Sequence, residues 1–187
     1  MTIRATRVAL RDGTRVIVRA VRKEDERHAD AFFNWLSEET RYLRFMYLAK
    51  ELTPEILRGA LEQDRLRRVP LIVEPVIQAE GDPPAIALGR YAPTDDPTEC
   101  EVAITVGDAW QGRGVGRVLL KRLIALAARG GYRSMSASVL SANPKMIALA
   151  RAFGFTITER SGGVTVMHKA LVAAVDHIPA AVDHIPG

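Results

Sequence analysis

The sequence predicts a mixed α/β domain, and three observations carry that prediction. Residues 15–19 alternate polar and apolar side chains, which is the two-residue period of a strand. Residues 115–126 repeat apolar side chains at the spacing of a helix with one buried face. The 187 residues are 48% hydrophobic and 26% charged, which is typical of a globular chain of one domain. Strands and helices are therefore expected to surround one core.

The first half of the chain predicts a strand, three helices and then three further strands. The first strand follows a turn at Asp12 and Gly13, and the third helix begins with Thr53 as a cap followed by proline. Breaks rich in proline, glycine and aspartate separate the later strands, which favours an antiparallel meander. The predicted strands span residues 14–20, 69–77, 85–91 and 100–106, and the predicted helices span residues 23–36, 37–46 and 53–64.

The second half predicts the longest helix and three more strands, seven strands in all. Residues 115–129 form that helix, which Gly130 and Gly131 end. We expect one domain over residues 1–170 and a flexible tail over residues 171–187, in which Ala-Val-Asp-His-Ile-Pro occurs twice. The remaining elements are a strand at 133–140, a helix at 143–153 and strands at 155–159 and 164–168.

The cysteine count and the hydropathy exclude several classes of protein. Cys100 is the only cysteine, so an internal disulfide or a multi-cysteine zinc site is excluded and a reducing, cytoplasmic location is expected. Arginines at positions 4, 7 and 11 interrupt the N-terminus where a signal peptide needs an apolar run, and no apolar run reaches ~18 residues. We therefore expect no membrane span. The four histidines lack the spacing of a metal site, and no metal is expected.

Charge is unevenly distributed although the net charge is only +4. Residues 111–160 contain nine basic residues and one acidic residue, whereas residues 76–109 contain seven acidic residues and one basic residue. This asymmetry indicates a protein that binds an anion beside a cation, with ordinary solvated faces as the alternative. No pattern of stacking aromatic residues accompanies the basic ones, which disfavours nucleic acid as a partner. The sequence contains no indication of an oligomeric state.

The segment Trp110-Gln-Gly-Arg-Gly-Val-Gly116 lies between a predicted strand and the longest helix. Its alternating glycines let the backbone approach a ligand, and the free amides at the helix N-terminus attract anions. The segment therefore predicts a phosphate-binding loop, with a simple turn as the alternative. Gly116 is followed by Arg117 and Val118 rather than by lysine and serine or threonine, which excludes a P-loop. Leu119 stands where a dinucleotide-binding fingerprint has its third glycine, which disfavours that fingerprint.

Gln111, Gly114 and Gly116 match the Gln/Arg-x-x-Gly-x-Gly/Ala pyrophosphate loop of the GNAT superfamily of acetyl-CoA-dependent N-acetyltransferases, which residues 14–169 resemble. Asn143 begins a helix that is closed by Gly-Phe, as in that family. The segments 41–45, 100–104 and 146–151 are similar to the bacterial Pat-type protein lysine acetyltransferases. The resemblance implies a mixed, mostly antiparallel sheet of about seven strands flanked by helices, with the fourth and fifth strands of the family fold splayed apart.

The strand before the loop carries the predicted chemistry. Alternation places Glu101 with Ala103 and Thr105 on one face, and Ile104 on the opposite, apolar face. Glu101 can accept a proton from an incoming ammonium, and the resemblance implies that it is the general base; a carboxylate paired to an arginine is the alternative. The resemblance also implies direct attack of the amine on acetyl-CoA, which leaves Cys100 the role of a small buried residue.

The resemblance further implies which residues meet acetyl-CoA. Backbone amides near Ile104 would hold the thioester oxyanion, and Arg113 and Arg117 suit the phosphates as charged donors. Asn143 is expected either to contact the pantetheine region or to serve only as a helix cap. The residues expected at the cofactor are Ile104, Thr105, Val106, Gln111, Gly112, Arg113, Gly114, Val115, Gly116, Arg117, Asn143, Met146 and Arg151.

The expected activity is acetyl transfer from acetyl-CoA to a primary amine in a ternary complex, with a protein lysine as the first-choice acceptor. A small-molecule amine or a polyamine is the alternative acceptor, and a non-catalytic acetyl-CoA sensor is the alternative outside the enzyme class. Ala150 stands where many relatives have a tyrosine that protonates the departing thiolate. A thiol pKa near ~8.5 lets the thiolate leave without that acid, so water is expected to protonate it.

Overall fold

The computed structural model describes residues 3–64, 66–77 and 85–172, which contain one eight-stranded sheet. The strands are β1 (Thr6–Ala9), β2 (Arg15–Ala20), β3 (Val69–Pro75), β4 (Ala87–Pro93), β5 (Glu99–Val106), β6 (Ser134–Leu140), β7 (Thr156–Ser161) and β8 (Val164–Ala170). Their order across the sheet is β1-β2-β3-β4-β5-β6-β8-β7. Neighbouring strands are antiparallel except β5 and β6, which are parallel.

Helices and short 3-10 turns connect the strands. The 3-10 turn at Lys23–Asp25 precedes the first helix, and the one at Asp108–Trp110 precedes residues 111–116, called the glycine loop below. The Ser37 hydroxyl accepts the N–H of Thr40 at the start of the second helix, and Thr53 caps the third in the same way, as their sequences predict. The helices of the described residues are α1 (Glu26–Trp35), α2 (Glu38–Phe45), α3 (Pro54–Leu61), α4 (Val115–Arg129) and α5 (Pro144–Ala152).

Helix α4 packs its apolar stripe on the sheet. Leu119, Leu120 and Leu123 are fully buried, and burial of each contributes about 2 kcal/mol to folding. A Cβ atom on Gly89 of β4 would lie 2.8 Å from Leu119 Cδ2, so this glycine allows the helix to approach the strand closely. The packing holds the start of α4 beside the end of β5, which is where the glycine loop lies.

The predicted fold class, the meander from β2 to β5 and the helix at 115–129 are confirmed. The sequence missed β1, so the sheet has eight strands instead of about seven. The side chains of β1 alternate only between half-buried and exposed because the strand lies at the sheet edge, which removes the strong apolar signal. The helix predicted at 23–36 begins as a 3-10 turn, since Asp25 turns back to accept the N–H of Arg22 at 2.7 Å.

The duplicated segment of the predicted tail lies outside the described residues, which end at residue 172. Within the described ranges, no helix has both the length and the apolar character that a membrane span requires.

Candidate functional site

The sheet opens between β5 and β6. These parallel strands pair only from Glu99 to Glu101, opposite Ser134 to Ser136, and then diverge. The N–H of Gly107 donates to Ile86 O of the neighbouring antiparallel segment at 2.9 Å. Hydrogen-bonding direction alternates along a strand, so Ile104 and Val106 turn their N–H groups away from β4 and into the opening. The predicted splay is confirmed, and it presents backbone donors to any ligand that enters.

Glu101 lies at the closed end of this opening. Its side chain is exposed, and Ser138 Oγ of β6 donates a hydrogen bond to Glu101 Oε1 at 2.7 Å. As predicted, Glu101 shares its strand face with Ala103 and Thr105, while the opposite face packs in the core. No arginine of the described residues forms an ion pair with Glu101. The carboxylate therefore keeps one oxygen oriented by Ser138, a residue that the sequence analysis missed, and the other available for a proton.

The glycine loop has the backbone conformation that its composition predicts. Gly112 has φ 76° and Gly114 has φ 97°, a region that favours glycine, and the space around both Cα atoms is open. Gly116 serves packing instead, because its Cβ would lie 3.2 Å from Leu149 Cδ2. The Val115 side chain is buried, so its contribution to a ligand is its N–H. The loop presents amides at the N-terminus of α4, where the helix dipole favours an anion.

The Arg113 side chain leaves the glycine loop and binds the turn between β1 and β2. Its Nε donates to Asp12 Oδ2 at 2.7 Å, its Nη2 donates to Thr14 Oγ1 at 2.8 Å, and its guanidinium stacks 4.1 Å from the Trp110 ring centre. The Thr14 N–H and this arginine lower the pKa of Asp12 to about 2. The structure thus places the Arg113 side chain in a contact with the β1–β2 turn, which the sequence did not predict.

Arg117, in the first turn of α4, lines a basic groove. Its guanidinium is 5.2 Å from the centre of the Phe153 ring. Lys121 and Lys169 complete the charged wall of this groove, which encloses about 590 Å³. Three cations beside an aromatic ring form a surface that suits a phosphorylated ring compound.

Gln111 connects the loop to the opening. Its Nε2 donates to the carbonyl of Val106 and to Thr40 Oγ1, both at 3.3 Å, and it accepts from Lys145 Nζ at 3.2 Å. The bond to Val106 confirms that this carbonyl points into the opening. The side chain of Gln111 therefore supports the end of β5, and its backbone remains part of the loop.

Asp108 joins the loop to α2. It accepts hydrogen bonds from Ser37 N at 3.0 Å, Ser37 Oγ at 2.7 Å and Thr40 Oγ1 at 2.6 Å. Burial opposes its ionisation, but these bonds outweigh burial and hold the pKa of Asp108 below its usual value. Next to it, a Cβ on Gly107 would collide with the Trp35 ring. The junction between β5 and α4 is therefore fastened to α1 and α2, which no local pattern predicted.

The start of α5 holds the other predicted cofactor residues. Asn143 Oδ1 accepts the N–H of Met146 at 3.0 Å, so Asn143 caps α5, and Met146 packs against the core. Arg151 is exposed in the last turn. Ala150 is buried, and its methyl group offers no proton to a leaving group. Whether Asn143, Met146 and Arg151 touch a cofactor stays a prediction.

A pocket lies on the face of β5 that carries Ala103 and Thr105, under α1, α2 and α3. Its volume is about 340 Å³, and its lining is largely apolar, including Phe33, Leu57 and Leu88. Two arginines, Arg44 of α2 and Arg90 of β4, also line it. Because Ala103 and Thr105 form part of the same wall, the pocket adjoins the strand face that carries Glu101.

Cys100 and a cluster of charged residues at the start of α1 have structural roles. Cys100 is buried, and burial raises the pKa of its thiol to about 12, so it is a protonated core residue as the alternation predicts. Asp25, His28 and Glu74 come within 4.8 Å of one another, a combination of possible metal ligands that sequence spacing did not reveal. Arg19 donates to both carboxylates and supplies the balancing charge that ties β2, β3 and the start of α1 together.

The chain was compared with protein families and with known proteins. Residues 21–155 match the model of the acetyltransferase (GNAT) family. The acetyltransferase PA5475 of Pseudomonas aeruginosa is 33% identical over 147 residues, which are 79% of this chain and 78% of that protein. The acetyltransferase Pat of Mycolicibacterium smegmatis is 34% identical over 145 residues, or 76% of this chain and 41% of that longer protein.

A solved structure agrees with these matches. The GNAT domain of S. lividans PAT superposes with a TM-score of 0.79 at 32% identity, covering 89% of this chain and 97% of that one. The two proteins therefore share one overall fold over most of their lengths. This chain belongs to the GNAT family of acetyltransferases.

Proposed function

We propose that the protein transfers the acetyl group of acetyl-CoA to a primary amine, with Glu101 as the general base. The observation that carries the proposal is the juxtaposition of the Glu101 carboxylate with the unpaired backbone of β5 at the opening between β5 and β6. A base and an oxyanion donor on one strand are what attack of an amine on a thioester requires.

The donor would lie along the loop and the opening. The amides of residues 112–116 would hold the pyrophosphate, and the groove of Arg117, Lys121 and Lys169 would hold the phosphorylated adenosine. Pantetheine would then run between β5 and α5, past Met146, and direct the thioester carbonyl toward the N–H of Ile104. Arg113 would contribute backbone rather than charge, since Asp12 already holds its guanidinium.

The reaction needs one base and no covalent enzyme intermediate. An amine with a pKa near ~10.4 is protonated at neutral pH, so Glu101 removes a proton before nitrogen attacks the carbonyl carbon. The N–H of Ile104 stabilises the oxyanion, the nitrogen loses its second proton to water, and the carbon–sulfur bond then breaks to release the CoA thiolate. Water protonates that thiolate, because Ala150 provides no acid and Cys100 is buried.

The acceptor is proposed to be a protein lysine in the first instance. Likeness to the two Pat proteins supports this choice, and the cytoplasmic location proposed with it is supported by the lone buried cysteine. A small-molecule amine is the second candidate, which the partly enclosed pocket beneath α1, α2 and α3 favours.

Calorimetry followed by a thiol-release assay tests the proposal. We expect acetyl-CoA to bind and CoA to be released when lysine peptides or small amines are added. Absence of acetyl-CoA binding would refute the assigned donor site. Binding without transfer to any amine would instead identify a sensor that lacks the chemistry.

A further inference from the structure

Two arginines in the pocket beside Glu101 lack a carboxylate partner. Arg44 projects from α2 and Arg90 from β4, and both line the same cavity. No carboxylate of the described residues lies within ion-pair distance of either guanidinium. Burial lowers the pKa of both guanidinium groups, whereas the charge of Glu101 raises both and that of Glu62 raises the pKa of Arg90.

The strand register fixes where Arg90 lies. Arg90 is opposite Ala103 and Ala92 is opposite Glu101, so Arg90 and Glu101 are diagonal neighbours on one face, ~7–8 Å apart at Cα. Its Nη1 donates to the carbonyl of Gly59 in α3 at 2.9 Å. Its Nε is buried and has no hydrogen-bond partner among the described residues. One edge of this guanidinium is therefore held in place, while another donor is unsatisfied.

Arg44 approaches the same space from the opposite wall. Its guanidinium lies 5.1 Å from the centre of the Phe45 ring. Burial and the charge of Arg90 lower the pKa of Arg44 to about 10, so it remains a cation at neutral pH. Glu55 also lines the pocket, but its own N–H and the Thr53 hydroxyl lower the pKa of its carboxyl, which is turned to the start of α3.

Two half-buried cations in a largely apolar pocket are costly unless an anion joins them. A guanidinium matches a carboxylate in shape and donates to it through two N–H groups. A bare cation such as a polyamine would meet repulsion from Arg44 and Arg90 over most of the pocket. The electrostatics of the pocket therefore favour an acceptor that is itself anionic at one end.

We propose that Arg44 and Arg90 bind a carboxylate of the acceptor, which makes the acceptor an amine with a carboxylate beside it. A free α-amino acid has this chemistry, and so does a lysine next to an acidic residue in a peptide. The apolar part of the lining would receive the remaining side chain. The inference names the substrate class of the proposed transferase and rests on that function.

The test compares acceptors that differ only in the carboxylate. One arm uses the L-amino acids and their carboxamides, and the other uses lysine peptides with glutamate or glutamine beside the lysine. We expect kcat/KM for CoA release to be at least tenfold higher for the carboxylate form in one of the two arms. That arm identifies the source of the carboxylate.

Variants assign the preference to the two arginines. Arg44→Met and Arg90→Met keep most of the side-chain volume, and each should reduce the preference to about threefold or less while acetyl-CoA affinity is retained. Arg58→Met is the matched control, because Arg58 is exposed on α3 and does not line the pocket. The wild-type comparison needs no variant, so a variant that fails to fold leaves the test intact.

The outcomes separate the two proposals. Equal rates with and without the carboxylate in both arms would overturn the anion subsite and leave the transferase in place. A preference that persists in both arginine variants would also overturn it. Bound acetyl-CoA with no transfer to any amine would overturn the transferase and the subsite together.

Discussion

The two halves of the site are built in different ways. The backbone of the donor half consists of β5, the glycine loop and α4, which are continuous in sequence from Glu99 to Arg129, and Lys169 of β8 adds a charge to it. The acceptor half brings α1, α2 and α3 against β4 and β5, and its two arginines are 46 positions apart in the chain. The loop of the donor half offers backbone amides with the basic side chains of Arg117, Lys121 and Lys169 beside it, whereas the acceptor half offers side chains alone.

This difference explains what each half can do. Backbone donors recognise a phosphate or a thioester whatever the neighbouring side chains are, so a donor site can be shared across a family. Under the proposed function, side chains such as Arg44 and Arg90 would set the shape and charge that an acceptor must match. Replacements in each half test this difference.

Replacing Glu101 should remove the chemistry and leave the donor half intact. We expect Glu101→Gln to lower kcat by about 10²–10⁴-fold, because a positioned general base contributes a factor of that size. Acetyl-CoA affinity measured by calorimetry should stay within about twofold of the wild type, since the pyrophosphate loop is unchanged.

Glu99→Gln is the matched control for that change. Glu99 lies two residues earlier on the same strand face and contacts His168 Nε2 at 3.1 Å and Ser134 Oγ at 3.3 Å. The Glu99→Gln variant should lose little activity. Equal losses in the two variants would show that a carboxylate on this face is structural rather than catalytic.

Removing Asp108 should weaken the contact between the start of α2 and the residues that precede the glycine loop. Asp108→Ala deletes three hydrogen bonds to Ser37 and Thr40 and should lower the free energy of unfolding by about 3 kcal/mol. Because the pKa of Asp108 is lowered in the fold, this stabilisation is present above the unfolded pKa and is lost as pH falls through the folded value.

Denaturant titrations at neutral and acidic pH measure that difference. Asp96→Ala is the control, since the Asp96 carboxylate accepts its hydrogen bonds from Thr98 in the same turn and joins no helix to the loop. A loss for Asp108→Ala no greater than for Asp96→Ala would contradict the idea that Asp108 fastens α2 to the loop.

The glycine loop can be tested by adding one methyl group. Gly114→Ala should cost about 1–2 kcal/mol of stability and weaken acetyl-CoA binding, because φ 97° is strained for alanine. Gly131→Ala is the control, with φ 88° at the far end of α4. It should cost similar stability and leave affinity unchanged; a similar loss of affinity would contradict the loop assignment.

The smallest effect should distinguish the two arginines of the donor half. Arg117→Gln should weaken acetyl-CoA binding roughly five- to tenfold, more at low salt, because Arg117 faces the basic groove. Arg113→Gln should change affinity by about twofold or less, since its guanidinium is bound by Asp12 and Thr14. Calorimetry at two salt concentrations measures both, and the reverse order would contradict this division.

The donor half could be predicted from sequence because its signals are local. The alternation that places Glu101 opposite the apolar face, the glycine spacing and the helix that follows all lie within residues 99–129, and each is visible over a few neighbouring residues. The acceptor half could not, because the meeting of Arg44 with Arg90 and of Asp108 with Ser37 depends on how α2 packs on β5. The same holds for Arg113, whose partner Asp12 lies in a distant turn.

The edge of the sheet shows the same limit. β1 escaped prediction because its side chains are at most half-buried and its stability comes from pairing with β2. The presence of β2 to β6 and of β8 was predictable because their buried side chains alternate or form short apolar runs between turn residues. β7 has no buried side chain, and its prediction rested on the turn at residues 161–163 that joins it to β8. The ends of these strands differ from prediction by one or two residues at most positions, where capping and pairing decide the boundary.

A structure of the protein bound to acetyl-CoA tests the central claim most directly, that one strand supplies both the base and the oxyanion donor. We predict the pyrophosphate on the amides of residues 112–116 and the thioester oxygen about 3 Å from the N–H of Ile104. The Glu101 carboxylate should then face the acetyl carbon, directly or through one water. A thioester outside the opening between β5 and β6 would contradict the account.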